Sequence, residues 1–226
     1  MRELFSAIAP TYDRLNRIMS LRLDLRWRRI AVDRLGWQRA PEGTYLDLCA
    51  GTLDFAAALA ARSGFRGRIV AADFAQPMLE HGRHKTERAA PVTSDALALP
   101  FRTAAFDGAM MGWGARNLPD LDAGLAEAAR VLAPGARLVI LEMATPPRQP
   151  LRALYLTYFE RVLPVLGRLI SKHTSAYTWL PASARAFPSP ESFAQRLRQA
   201  GFEAVSFSRF VGGVVTLHVA TRVGAH

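Results

Sequence analysis

The chain has 226 residues, half of them hydrophobic and 21% charged, which excludes a disordered polypeptide or a fibrous repeat and is enough chain to bury a core. Its single cysteine, Cys49, excludes a disulfide framework and any multi-cysteine zinc or iron–sulfur centre. The formal charge of +10 is uneven, at +5 over residues 1–40, −2 over 41–143 and +7 over 144–226. It attracts nucleic acid, anionic headgroups or acidic partners, and an arginine-rich coding bias on solvated surface accounts for it equally well.

The first forty residues read as helical. Leu15, Ile18 and Met19, then Trp27, Ile30, Ala31 and Leu35, recur at three- and four-residue intervals, and Pro10 is expected to separate an initial turn from the helices. The opening Met1-Arg2-Glu3-Leu4-Phe5 lacks the apolar stretch of a secretory signal, and no apolar run approaches the ~18–20 residues of a membrane span. The expected compartment is therefore the cytoplasm.

From residue 44 the pattern alternates. Residues 44–49, 68–73, 91–95, 106–112 and 137–143 read as strands, with helices expected over 55–62, 77–88 and 121–132. A helical insertion near 149–180 follows, with a long apolar stretch from Leu151 to Ile170 broken at Pro164. A helix over 190–200 stops at Gly201, and two strands, 204–210 and 214–221, form a hairpin about Gly212-Gly213. The fold class is α/β, a doubly wound, mostly parallel seven-stranded sheet with N-terminal helices. It is read as a single domain over 1–226: a helical cap (1–40), a ligand-binding core (41–143), and the insertion with its hairpin (144–226).

In such sheets ligands lie at the carboxyl ends of the strands, near the reversal of strand order. The first strand leads into Asp47-Leu48-Cys49-Ala50-Gly51-Thr52-Leu53-Asp54, a small-residue turn that lets a ligand approach the backbone or simply packs closely. Twenty-six residues after Asp47 the second strand ends at Asp73-Phe74, where a carboxylate can accept both hydroxyls of a ribose or cap the next helix. Ser94-Asp95-Ala96 puts a hydroxyl and a carboxylate where an adenine edge would lie. Only Gly51 of a G-x-G-x-x-G fingerprint is present and there is no phosphate-binding G-x-x-x-x-G-K-[ST], which disfavours a dinucleotide and ATP. S-adenosylmethionine, a sulfonium without phosphate, suits acids better than glycine-borne amides.

At this point the sequence resembles the class I methyltransferases of the ubiquinone/menaquinone biosynthesis C-methyltransferase (UbiE/MenG) type, nearly end to end. The resemblance is carried by Ala9-Pro10-Thr11-Tyr12-Asp13-Arg14-Leu15-Asn16, Leu46 to Asp54, Ala98-Leu99-Pro100-Phe101 and Gly114-Ala115-Arg116-Asn117-Leu118. Arg130 to Leu138, Val162-Leu163-Pro164, Ala176 to Pro181 and Gly212 to His218 continue it. It implies a Rossmann-like fold and transfer of a methyl group from S-adenosylmethionine to a ring carbon of a polyprenylated quinol precursor. By matched position it implies that Asp47, Gly51, Thr52, Asp73, Phe74, Asp95, Ala96 and Gly112 face the cofactor. Tyr12, Asp13, Asn16, Trp113, Arg116 and Asn117 are placed on the acceptor side, with Arg116, Tyr12 and Asp95 as the catalytic set.

The chain departs from the family at Leu53, where glycine is usual, and the leucine is expected there to narrow the pocket or to redirect the methionine tail of the cofactor. Gly112 stands for a common serine and Trp113 for a common phenylalanine.

A ring carbon becomes nucleophilic when an adjacent phenol loses its proton. Arg116 is read as stabilising that phenolate rather than as a base, because a guanidinium stays protonated at any ordinary pH, with water relaying the proton towards Asp95 or Asp13. His218, alone in a strand, is read as structural; His81, His84 and His173 show no ligand-like grouping, and no metal is expected. Cys49 is read as a small turn residue. The expected partners are a lipid-like quinol and an anionic membrane surface at the inner face, with a homodimer left open and no nucleic acid. The apolar insertion is either a prenyl tunnel or helix packing. Three rivals stand beside this reading. They are a methyltransferase of another small aromatic, one acting on nucleic acid (disfavoured by Gly-Trp-Gly-Ala at 112–115 where an Asn/Asp-Pro-Pro-aromatic segment belongs), and a non-catalytic partner in a quinone-synthesis assembly.

Overall fold

The computed structural model describes residues 2–157 and 182–224. A seven-stranded sheet runs β3 (Ala89–Thr93), β2 (Arg68–Asp73), β1 (Thr44–Leu48), β4 (Phe106–Gly112), β5 (Leu132–Met143), β7 (Val215–Arg222), β6 (Phe202–Phe210). Strands β1 to β5 pair in parallel, and β7 runs antiparallel to both β5 and β6. Strand order reverses between β1 and β4, which opens a crevice at their carboxyl ends.

The helices are α1 (Arg2–Met19), α2 (Leu23–Leu35), α3 (Asp54–Ala60), α4 (Gln76–Gly82), α5 (Leu121–Val131), α6 (Leu151–Thr157) and α7 (Pro190–Gln199). Alternate strand residues serve opposite faces, as the period of two requires. Leu46, Leu48, Ala109, Met111 and Ile140 pack with Leu125 of α5 and Phe193 and Leu197 of α7. Tyr45, Met110, Val139 and Leu141 pack with Ala31 and Leu35 of α2 and Phe55 and Leu59 of α3.

Several boundaries differ from the sequence reading. The helix expected over 77–88 ends at Gly82 and is followed by a single 3-10 turn, Arg83–Lys85. Helix α1 runs through Pro10, because losing one internal hydrogen bond does not stop a helix held by its neighbours. Strand β3 spans 89–93 rather than 91–95, so Pro91 lies within an edge strand, where its missing N–H is tolerated. Strand β5 starts at Leu132 rather than 137, because the Pro134-Gly135 turn is absorbed as a register shift against β4. The hairpin turn forms where expected, with Gly212 (φ 63°) and Gly213 (φ 104°) supplying the left-handed backbone. Most of the insertion near 149–180, with the break at Pro164, lies outside the described residues; its described part is α6.

Candidate active site

A cavity of about 700 Å³ occupies the crevice at the switch point. The turn after β1 forms its floor, with left-handed backbone at Cys49 (φ 55°), Gly51 (φ 52°) and Leu53 (φ 63°). The buried Asp73, at the end of β2, braces this turn: Oδ2 accepts from the Gly51 N–H (2.9 Å) and Oδ1 from the Ala75 N–H (2.8 Å). Burial raises the Asp73 pKa, while the backbone bonds from Ala75, Gly51 and Phe74 oppose the rise. Each carboxylate oxygen has a further lone pair, so a ligand hydroxyl can add to these bonds.

Asp95 stands exposed on the rim with Oδ1 accepting from the Leu97 N–H at 2.9 Å, and Ala96 beside it also lines the cavity. Between them and β3, Ser94 Oγ is buried with no hydrogen-bond partner among the described residues, although Ser94 lines the same wall. The cavity wall therefore holds an acid that can take hydroxyls and a hydroxyl in want of a partner. Gly51 brings backbone to the surface, its nearest neighbours being Met78 and Tyr12. This donor and acceptor set fits an adenosine with a ribose diol.

The other end is cationic and aromatic. After β4 the backbone turns through Trp113 (φ 57°) into the short helix Ala115–Asn117, which carries Arg116 and Asn117 into the lining. Arg116 Nη1 donates to Glu142 Oε1 at 2.6 Å and to the Trp113 carbonyl at 2.7 Å; Asn117 Nδ2 donates to the same carbonyl at 3.1 Å. The Arg116 side chain is only 8% exposed, yet its Nε has no hydrogen-bond partner among the described residues. Helix α1 closes this side with Phe5 and Tyr12, whose rings meet edge-on with centroids 6.4 Å apart. Burial raises the Tyr12 pKa, against the pull of Arg116 and a hydrogen bond with Asn16.

Of the residues the sequence singled out, Tyr12, Gly51, Asp73, Phe74, Asp95, Ala96, Gly112, Trp113, Arg116 and Asn117 share this lining. Four do not. Asp47 is buried beneath the turn and accepts from the Ala56 N–H at the start of α3 (2.9 Å), and burial pushes its pKa up to about 8. Thr52 is buried too and donates its hydroxyl to Asp13, which also pairs with Lys85. Asn16 touches the site only through Tyr12.

Leu53 corrects an expectation: its side chain is fully buried in the α2–α3 core and does not narrow the cavity. Its left-handed backbone accompanies a side chain packed below the sheet rather than towards the ligand. At Gly112 a Cβ would lie 2.8 Å from the Phe55 ring, so the absent serine is matched to a bulky neighbour. His218 is a packing group remote from this lining, between Phe193 and Phe207, with Nε2 3.0 Å from the Pro190 carbonyl; burial pushes its pKa down to about 4.

Two features of the site were not singled out in the sequence reading. Cys49 lines the cavity, with a thiol pKa raised by burial, so it is not a thiolate nucleophile. Glu142, the buried partner of Arg116, was signalled only by being an acid inside the apolar run Leu138 to Met143. Among the described residues no group of His, Cys, Asp and Glu is arranged to hold a metal ion, and no helix is long and apolar enough to cross a membrane.

The sequence profile of the ubiE/COQ5 methyltransferase family matches residues 1–222. The chain belongs to the ubiE/COQ5 methyltransferase family. Among curated relatives of this ubiE/COQ5 member, it is 47% identical to the demethylmenaquinone methyltransferase of Thermus thermophilus, over 97% of this chain and 100% of that protein. It is 39% identical to the ubiquinone/menaquinone biosynthesis C-methyltransferase UbiE of Geobacter sp. (strain M21), over 98% and 96% of the two chains. Among solved structures, the S-adenosylmethionine-dependent methyltransferase TM1293 of Thermotoga maritima superposes with a TM-score of 0.67. At 20% identity, over 97% of this chain and 98% of that one, it establishes the Rossmann-like methyltransferase fold alone. The ubiE/COQ5 chain is thus an S-adenosylmethionine-dependent methyltransferase.

Proposed function

We propose that this enzyme methylates a ring carbon of a polyprenylated demethylmenaquinol, a naphthoquinol rather than a benzoquinol. The observation that carries the reading is the two-ended cavity, with acids and an unpartnered hydroxyl at one end and an oriented guanidinium at the other. Near-full-length likeness to demethylmenaquinone methyltransferases favours the naphthoquinol.

The cofactor, when bound, supplies an electrophilic methyl group. Asp73 and Asp95 hold its ribose and adenine, with Ser94 as a further polar contact and Gly51, Phe74, Ala96 and Gly112 forming the surface against it. At the acceptor end Arg116 steadies the ring oxygen as it loses its proton. The guanidinium is paired with Glu142, so the oxygen meets fixed N–H donors whose direction is set before the ring arrives. Tyr12 and Asn117 border the same space, and Trp113 supports both Arg116 and Asn117 through its carbonyl. Of the two acids considered for the proton, Asp13 is engaged by Thr52 and Lys85 and lies off the lining. Asp95 stands at the cofactor end, so the proton leaves to water, with the exposed rim as its way out.

The prenyl tail brings the enzyme to the inner membrane surface from the cytoplasm. Leu15, Met19, Tyr155, Leu156 and Val214 pack together where α1, α6 and the β6–β7 turn meet, and these segments also expose Ile18, Leu154 and Val211. The exposed Arg14, Arg148 and Arg152 border them in sequence and suit anionic headgroups.

Incubation with labelled S-adenosylmethionine and a panel of demethyl quinols, read by product mass spectrometry, tests the activity. The naphthoquinol product is expected to be one methyl heavier; methylation of a benzoquinol alone overturns the choice of acceptor. Sedimentation with anionic vesicles is expected to weaken as salt rises, and binding indifferent to salt and lipid charge rejects the membrane contact.

A further inference from the structure

Glu142 lies in β5, fully buried, and is absent from the cavity lining. A buried carboxylate without partners is costly, and this one accepts from three donors. Oε1 takes Arg116 Nη1 at 2.6 Å and the Met143 N–H at 2.8 Å, while Oε2 takes the Arg116 backbone N–H at 3.2 Å. One side chain therefore grips both the guanidinium and the main chain of Arg116, and its own place is fixed by the strand. The β4–β5 register, with Gly112 opposite Leu141, sets it beside the 113–117 turn. The Trp113 carbonyl holds the same Nη1 from the other side, which leaves the guanidinium plane little freedom to rotate.

We propose that Glu142 is a positioning residue for methyl transfer: it orients the Arg116 guanidinium towards the acceptor oxygen and touches neither substrate nor cofactor. The inference rests on reading the cavity as that of a quinol methyltransferase. The residue type follows from the contacts. Glutamine has one acceptor oxygen, and its amide N–H₂ would face another donor; aspartate keeps the charge but is one methylene short of spanning all three donors.

The test compares the full-length protein with Glu142→Gln, Glu142→Asp, Arg116→Lys and the double variant Glu142→Gln/Arg116→Lys. Turnover is measured with S-adenosylmethionine and a demethylmenaquinol, cofactor affinity by calorimetry and folding by thermal melts. Glu142→Gln is expected to lower kcat about 100-fold, the scale of a misplaced catalytic contact, with cofactor Kd and acceptor KM within about threefold. Glu142→Asp is expected to recover part of that loss. The double variant is expected to be no slower than Arg116→Lys alone, since residues acting as one unit are not additive.

If Glu142→Gln does not fold, the same cycle is run with Glu142→Asp and Arg116→Lys, with the same expectation. Losses that multiply, or a folded Glu142→Gln enzyme with kcat within about threefold of the parent, overturn the inference. A parent protein that binds the cofactor but methylates no quinol sinks the functional reading and this inference with it. An active parent indifferent to Glu142 sinks the inference alone.

Discussion

Two groups of buried charge flank the helix start at Asp54 and the turn at Trp113, and they are built to different specifications. Beneath α1 and α2, Asp24 receives Arg17, Arg28 and Ser20, while Asp54 receives Arg17, Arg28 and Lys85, and Lys85 reaches on to Asp13. Three acids meet three bases, and the network ties both N-terminal helices to α3. The second group is one pair, Arg116 with Glu142. Each group leaves one buried Nε without a partner among the described residues, on Arg28 and on Arg116, but of these guanidiniums only that of Arg116 belongs to a residue lining the cavity. A network away from the cavity stabilises a joint between elements; a pair whose guanidinium borders the cavity can also serve a ligand that enters it.

Neutralising the centre of the network is the strongest way to break this contrast. Asp24→Asn leaves the buried Arg28 and the partly buried Arg17 with Asp54 as their one shared acid and is expected to cost about 3–5 kcal/mol in chemical denaturation, with kcat of the folded fraction unchanged. A fall in kcat without a fall in stability would merge the two groups into one. Arg116→Ala is expected to show in turnover what Asp24→Asn does not, alongside a loss of stability because Glu142 keeps only backbone donors. Turnover should fall about 10²–10³-fold, as when an oxyanion donor is removed, while calorimetry finds the cofactor bound as before. Equal loss of both removes Arg116 from the acceptor side.

A third prediction separates the acids by pH. Opposite charges hold Asp54 down to about 2, so its stabilising contribution is present above the unfolded carboxylate value near ~4 and disappears as pH falls towards 2. Asp47 has the opposite sign. Burial lifts it to about 8, so the folded state keeps a proton that the unfolded chain releases, and stability declines as pH rises from ~4 to 8. Asp47→Asn keeps an oxygen for the Ala56 N–H and is expected to raise stability at pH 8 by on the order of a few kcal/mol, with little effect near pH 4. Melts at both pH values check it; a variant destabilised at pH 8 reverses the assignment.

The smallest effect concerns the cavity wall at Gly112. Gly112→Ser forces an overlap with Phe55 and is expected to cost about 1–3 kcal/mol of stability. Phe55→Leu in the same chain is expected to restore part of it in thermal melts. No loss in the single variant means that the Phe55 ring moves freely, and that Gly112 is unconstrained.

Much of this was legible in the sequence. The alternation of apolar runs with helical periodicity gave the order of elements, and Asp73 could be placed at the end of β2 because an acid closing an apolar run of that length ends a strand. Gly51 and Asp95 follow from their offsets to strand ends, whereas Arg116 was indicated by the family resemblance alone. What could not be read was direction. Leu53 falls in a turn that looks ligand-facing, yet its backbone accompanies a side chain packed into the core. Thr52 and Asp13, separated by thirty-nine positions, were assigned to cofactor and acceptor and instead bond to each other.

The sequence by itself determined the layering, the strand ends at which a ligand can sit and the chemical character of the groups gathered there. These depend on local periodicity and on residue type, which short segments carry within themselves. Only the tertiary structure decided which charges are neutralised and which of the paired guanidiniums borders the cavity. Arg116 meets Glu142 across twenty-six positions because the β4–β5 register brings their segments together, and a register is a property of two strands that neither segment specifies alone.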